Sequence, residues 1–416
     1  MEVFPTVSFA DRTDGSGSDA PQVFTRGRIV LATILLFLVV TTVIIILWNQ
    51  RLDNADPESC EWLRNTCSRK FDVPPLLIIG MDGFAGKQMG RNETRFLNQV
   101  ASCGARASAL IPTFPCKTFV NLYSIASGLY ADAHGFIDNW FWVNNATVKS
   151  NPNDGQFFSG EPIWNTVVRA GKEAKTFFWI GSYSKIGGIE PTVRITYNKS
   201  ISFKIRADKV LEWLMADEPP ALTMLYVEVP DAANHKYGTE SNEASKALEL
   251  VDESIMYLFT RLREEELLGC VNIAFVSDHG LAPVIVTSNF TELKCNRNRH
   301  FAVYEQNTIP IHFHYNNSRV PWPYIAGAEG IHFRNRNNDP SAHGWNMMTR
   351  DMEAVFFGIG PSFKEDFEDF KPFQNTELYN LFADLMNLTD RAPNNGTRGR
   401  LSSFLKTPPA NDLPKT

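Results

Sequence analysis

The chain alternates short, unbroken apolar runs with longer amphipathic stretches. Four apolar runs stand out: Leu76–Met81, Leu222–Val229, Val271–Ser277 and Ala354–Ile359. Each has strand length and lacks the alternation of a strand with one wet face, so each predicts a strand buried on both sides. Three of them run straight into acids, at Asp82-Gly83-Phe84, Pro230-Asp231 and Asp278-His279-Gly280. Between the second and third runs, Ala244, Leu248, Val251, Ile255, Leu258, Phe259 and Leu262 recur at helical spacing, with Gly269 as the expected C-cap. Phe119, Leu122, Tyr123 and Ala126 do the same and predict a helix that begins at or just after Thr118. Strand, helix and strand joined by short turns predict an α/β fold with a mostly parallel central sheet and helices on both faces. Residues 281–342 break this rhythm; polar and Asn-rich, they read as an irregular surface excursion.

A fifth apolar stretch is of another kind. Ile29 to Trp48 carries no charge over about 20 residues, the length that crosses a bilayer. It closes on Trp48-Asn-Gln-Arg51 rather than on small residues, which favours an uncleaved signal-anchor helix over a signal peptide. All seven Asn-x-Ser/Thr sequons (Asn92, Asn145, Asn198, Asn289, Asn316, Asn387, Asn395) and all six cysteines follow it. That one-sided distribution suits an oxidising, extracellular compartment. The expected organisation is a disordered cytosolic tail (1–28), a transmembrane helix (29–48), an extracellular tether (49–73), an α/β domain (74–405) and a disordered, Pro-rich tail (406–416). The expected location is the plasma membrane, single-pass type II. A net charge of −6 without a basic stripe gives no reason to expect a nucleic-acid polymer as partner.

In open α/β sheets, ligands bind at the carboxyl ends of the strands. Acids and histidines gather there, and their oxygen and nitrogen donors suit zinc without any thiolate. Asp231, His235 and His343 make one candidate metal set. Asp82, Asp278 and His279 with Thr118 make a second. Thr118 itself reads either as an ordinary helix N-cap or as a hydroxyl held at the positive end of a helix dipole, ready to meet a phosphate. His134 reads as structural, and His300, His312, His314 and His332 as surface residues.

Taken in order, Met81-Asp-Gly-Phe84, Lys117-Thr-Phe119, His134-Gly135 through Asp138-Asn139, Gly160-Glu-Pro-Ile-Trp164, Pro230-Asp231 with His235, Ser277-Asp-His-Gly280, His343-Gly344 and Ala392-Pro-Asn-Asn-Gly-Thr397 resemble the ectonucleotide pyrophosphatase/phosphodiesterases of the alkaline phosphatase superfamily. The resemblance runs from about residue 70 to 405. It implies two zinc ions per chain, one on Asp231, His235 and His343, the other on Asp82, Thr118, Asp278 and His279. It makes Thr118 the nucleophile, forming a phosphothreonine, and Asn139 a donor to the charged phosphate. It implies a nucleotide substrate such as ATP, with the base held by Phe119, Tyr197 and Trp179. It also implies disulfides Cys60–Cys103 and Cys67–Cys270, leaving Cys116 and Cys295 to pair or stay free. The chain departs from the family pattern at Val120 and Leu122 and at Tyr183, where a nucleotide pocket often has an acid; Lys149 is a candidate for the pocket's basic residue. No counterpart of the larger members' somatomedin-B-like or nuclease-like domains is expected, nor the latter's calcium site. Two other readings keep the same scaffold: a lysophospholipid or choline-phosphate phosphodiesterase, and a catalytically silent surface protein.

Overall fold

Eight strands build the central sheet: β1 (Leu76–Met81), β2 (Ala105–Ala107), β3 (Ala174–Phe177), β4 (Val193–Ile195), β5 (Leu222–Val227), β6 (Asn272–Ser277), β7 (Phe356–Ile359) and β8 (Phe367–Asp369). Their order across the sheet is β8-β2-β7-β6-β1-β5-β3-β4. The computed structural model describes residues 30–44, 59–64, 67–144, 146–288, 301–333 and 339–409. Two units are distinguished, residues 1–56 and 57–416. In the first, the described residues form a helix over 30–44 with exposed apolar side chains, Phe37 and Leu36 among them. No helix among the described residues is long and apolar enough to cross a membrane. The ends of the expected 29–48 span and the cytosolic tail lie outside the described residues, as do Asn145, Asn289, Cys295 and His300.

In the second unit, β1 lies between β5 and β6, parallel to both, and every one of its residues is buried. Register sorts the side chains: Gly80 stands beside Val276, and Ile79 beside Phe275. Neighbours in register point the same way and successive residues point oppositely. The Phe275 face meets Phe259, ring centroids 6.0 Å apart, from the helix Asn242–Glu264. The Gly80 face meets Trp179 and Leu122, so close that a Cβ at Gly80 would lie 2.8 Å from the indole. Leu122 belongs to α1 (Thr118–Ser127). Helices therefore cover both faces, as the unbroken apolar runs predict.

The sheet is mostly parallel as expected, with one reversed strand, and two other expectations are corrected. β7 runs antiparallel to both its neighbours, so its first residue rather than its last lies at the carboxyl end of β6. An apolar run carries no directional signal; only pairing reveals direction. The long helix ends at Glu264, not near Gly269. Glu266 takes the left-handed conformation (φ 54°), and Leu267 N–H returns to Leu262 O at 2.8 Å, which closes the last turn and buries Leu267. The stretch 281–342 is less of an excursion than its polarity suggests. Its described part includes the hairpin Phe301–Tyr304 with Tyr324–Gly327, and it buries Phe313, Tyr315 and Val320. Phe313 stacks on Phe114 at 4.2 Å, fastening the stretch to the segment before α1.

Both disulfides form, Cys60–Cys103 and Cys67–Cys270, while Cys116 is buried and free. The second closes a separation of 203 residues and joins the start of the unit to the residue pair preceding β6, at the sheet pole away from the acids. Closing so long a loop restricts the unfolded chain. Replacing Cys67 and Cys270 together by Ser is expected to lower unfolding stability by about 2–5 kcal/mol, read from urea denaturation.

Candidate metal centre and nucleophile

The three central parallel strands end level, Met81 beside both Val227 and Ser277. The residues that follow are therefore delivered to one place. Asp82 N–H donates to Val227 O at 2.8 Å, and Asp231 N–H to Asp82 O at 3.1 Å. The turn after Asp82 requires glycine. Gly83 has φ 64°, and a Cβ there would lie 2.6 Å from Leu281 Cδ1 and 2.9 Å from Asp231 Cβ. Its N–H donates to Asp278 Oδ1 at 3.0 Å, as does His279 N–H.

Two ligand groups result. Asp231, His235 and His343 form one; Asp82, Asp231 and His279 form the other, each with donor atoms within 4.8 Å of one another. Asp231 Oδ1 is 3.4 Å from His235 Nε2 and 3.9 Å from His343 Nε2. His279 Nε2 is 3.5 Å from Asp82 Oδ1 and 3.4 Å from Asp278 Oδ2. In all three imidazoles the other nitrogen, Nδ1, faces a backbone carbonyl: Ser341 for His235 (3.1 Å), Gly280 for His279 (3.0 Å) and Cys116 for His343 (2.7 Å). Donation from Nδ1–H leaves each Nε2 as a bare lone pair aimed at the carboxylates, the arrangement of a metal-ligating histidine.

The electrostatics point the same way. Burial pushes Asp82 and Asp231 well above the usual carboxylate range, with help from Asp278 and from Asp82 respectively. Burial also raises Asp278, to about 7, and lowers His279 to about 3; it pushes His343 well down, with the neighbouring His279 and His235 adding to the effect. No lysine or arginine among the described residues pairs with these three acids. Lys117 is 2.6 Å from Asp138, and Arg206 is 2.6 Å from Glu228. Asp231 Oδ1 and Asp278 Oδ2 are buried without any hydrogen-bond partner. Buried carboxylate oxygens facing imidazole lone pairs need positive charge between them, and a bound cation supplies it. The residues present thus fit divalent metal.

Thr118 is the first residue of α1, and Lys117 occupies the cap position. Its hydroxyl performs no capping. It lies 3.1 Å from His279 Nε2 and donates to Asp82 Oδ1 at 3.3 Å. Asn139 is exposed, and its N–H donates to Asp138, whose carboxylate Lys117 clamps at 2.6 and 2.7 Å. Phe119 is half-buried against Phe136, and Tyr197 is exposed with its edge toward Phe178. Trp179 departs from expectation: it is fully buried beneath Gly80, and its indole N–H donates to Leu122 O. It supports α1 rather than offering a face to a ligand. Tyr183 is likewise turned inward, donating to Phe178 O. His134 is buried between Ser124 and the Phe136 N–H, a structural role. His314, expected at the surface, stacks on Tyr130 at 3.8 Å. Tyr226 is a site residue that sequence reasoning passed over. Its hydroxyl donates to Asp82 Oδ2. A lone phenol inside an otherwise aliphatic or small buried strand was the available signal.

Comparison with known proteins gives the chain's family. The profile of the family described as Type I phosphodiesterase / nucleotide pyrophosphatase matches residues 76–294, just over half of the chain. The chain is 32% identical to a venom phosphodiesterase of Naja atra over 415 residues, covering 85% of this chain and 50% of that one. It is 33% identical to ectonucleotide pyrophosphatase/phosphodiesterase family member 3 of Rattus norvegicus, covering 82% of this chain and 45% of that one. The chain thus spans about half the length of the curated relatives it matches. Among solved structures, human ectonucleotide pyrophosphatase / phosphodiesterase 5 superposes with a TM-score of 0.74 at 27% identity, over 80% of this chain and 100% of that one. The murine protein of that name, solved as an inactive threonine-to-alanine variant in complex with AMP, gives 0.73 at 26% identity over the same shares.

Two outcomes are expected. Gly83→Ala meets both a positive φ and two side chains, so it should cost about 1–3 kcal/mol and reduce bound metal, measured by unfolding and elemental analysis. In metal-free protein, Asp278 holds its proton below about pH 7, so a cation must displace it there. The apparent metal affinity should fall at least about tenfold per pH unit below 7, since Asp82 and Asp231, also raised, must give up protons as well, read by calorimetric titration.

Proposed function

The chain belongs to the type I phosphodiesterase / nucleotide pyrophosphatase family, and from that premise we propose that it is a two-zinc ectoenzyme hydrolysing phosphodiester and pyrophosphate bonds of extracellular nucleotides, ATP among them. One observation carries the reading: two orphaned carboxylate oxygens and three imidazole lone pairs converge beside a threonine hydroxyl that caps nothing. The all-nitrogen-and-oxygen donor set supports zinc. Asp231, His235 and His343 would hold one ion and Asp82, Asp278, His279 and Thr118 the other. When bound, the ions supply positive charge that acidifies the Thr118 hydroxyl and stabilises charge on the phosphoryl oxygens.

The chain's own groups do the rest. Thr118 Oγ1 forms a bond to the α-phosphorus, and the bond from that phosphorus to the leaving oxygen breaks, releasing pyrophosphate from ATP. Asp82 Oδ1, which accepts from the hydroxyl at 3.3 Å, aims Oγ1, and the hydroxyl proton is given up to solvent. Asn139 donates to a non-bridging oxygen as charge builds there, held in place by the Lys117–Asp138 clamp. Water then attacks the phosphothreonine, releases the nucleoside 5′-monophosphate and restores the hydroxyl. Net, one water is consumed per bond cleaved. Phe119 and Tyr197 offer ring faces for the base; the AMP bound by the murine relative supports a nucleotide as substrate. The disulfides support an oxidising compartment, and the exposed sequons Asn92, Asn198, Asn316 and Asn387 are assigned as glycan acceptors. The helix over 30–44 is assigned to the membrane anchor of a type II protein.

The protein should hydrolyse a nitrophenyl ester of a nucleoside monophosphate and release pyrophosphate, not phosphate, from ATP. Thr118→Ala should lower kcat by at least about a thousandfold with metal content retained. A Thr118→Ala chain that turns over at the native rate removes the nucleophile from this scheme. Chelation should abolish turnover and zinc should restore it, with two zinc ions per chain by elemental analysis.

A further inference from the structure

A second recess, of about 710 Å³, lies between the helix Arg95–Cys103 and the long helix Asn242–Glu264. The long helix covers the Phe275 face of the sheet, so this recess is on the side away from α1 and its hydroxyl. Its size suits a small-molecule ligand. Two contacts set the helices against each other. Phe96 meets Phe259 edge-on at 5.4 Å, and the Asp252 carboxylate accepts from the Phe96 and Leu97 N–H groups at 3.0 and 2.8 Å. The wall of the recess is chemically mixed. Asp252 offers oxygen lone pairs, Arg95 offers guanidinium N–H groups, and Met256, 41% exposed, offers an apolar surface. Arg91, the other cation on the wall, is held by Glu93 at 3.0 Å. The Asp252 carboxylate disfavours an anion here, and Arg95 disfavours a cation. A neutral compound rich in hydroxyls suits both, because each hydroxyl donates and accepts.

Asn92 also borders this recess. It is exposed, and it opens the turn Asn92–Thr94, which is also a sequon. The turn is pinned from below. Thr94 is fully buried; its hydroxyl donates to Gln88 O at 3.0 Å and accepts from Asn98 Nδ2 at 3.2 Å, while Asn98 Oδ1 receives the Gly90 N–H at 2.8 Å. We propose that the recess is a carbohydrate seat, and that its occupant is the innermost N-acetylglucosamine pair of a glycan carried on Asn92. The inference rests on the assignment of Asn92 as a glycan acceptor and gives that sugar a bound place. A ligand tethered to the wall of its own site is present at high effective concentration, so modest complementarity keeps it there. The seated sugar bridges the two helices, and binding to the folded chain alone raises stability. Asn198 and Asn316 border no part of this recess.

The test uses the full-length protein from glycosylating cells. Glycopeptide mass spectrometry should find Asn92 occupied. Peptide N-glycosidase acting on the folded protein should release the Asn92 glycan about tenfold more slowly than those on Asn198 and Asn316, because only the unseated fraction reacts. After denaturation the rates should converge. Arg95→Glu sets a second carboxylate against the sugar, at an exposed position in the first turn of a helix where an acid is favourable. It should raise the release from Asn92 to the rate of the others; should it fail to fold, Met256→Ala should move release in the same direction. Asn92→Gln should lower Tm by about 2 °C, while Asn198→Gln leaves it unchanged. An occupied Asn92 whose glycan leaves the folded protein as fast as the others, or a bare Asn92 beside occupied Asn198 and Asn316, would overturn the seat. No glycan at any of the three would instead overturn the glycoprotein reading on which it rests.

Discussion

Level pairing of three parallel strands is the constraint on which the rest depends. Because β6, β1 and β5 stop at the same height, three carboxylates leave the sheet within a few ångströms of each other, Asp82 and Asp278 buried and Asp231 largely so. Like charges do not gather in a dry place unaided. The fold accepts that arrangement because covered helices on both faces hold the strands in one register, and a slip by one residue would turn every side chain to the wrong face. The need for a counter-charge is thus a product of the topology. Three histidines, each oriented by a main-chain carbonyl, complete the demand.

α1 adds the reactive hydroxyl to this frame. Buried Trp179 and Leu122 seat the helix on Gly80, a position where any side chain would collide with the Trp179 indole that supports the helix. The cap position falls to Lys117, whose ammonium reaches Asp138 instead of the helix end. Helix, nucleophile and the Asn139 turn are thereby tied together through one ion pair. The ion pair is itself partly exposed, so its value lies in geometry more than in stability.

Much of this could be read from residue order alone. Apolar runs without alternation announced a sheet covered on both sides, and acids at their ends announced the site. Thr118 stayed ambiguous on spacing, because a threonine at a helix start commonly caps it; only the distance to His279 separates the two uses. Trp179 shows the opposite limit, since a large ring looks the same in sequence whether it lines a pocket or supports a helix. The direction of β7 was hidden because pairing partners, not composition, decide it. Glu266 in a left-handed turn was hidden because that conformation usually signals glycine. The packing of 281–342 was masked by its polar majority, although Phe313, Tyr315 and Val320 are enough to fasten it.

The reversal of β7 has a wider consequence. Since β6 and β7 are antiparallel neighbours, everything between Asp278 and Val355 departs from one pole of the sheet and comes back to it. Lengthening such a return costs the chain little, roughly 0.6 kcal/mol for each doubling. The mouth of the molecule is in this sense an adjustable fitting on a permanent frame: its contour can change so long as it returns His343 to the acids that the strands put in place.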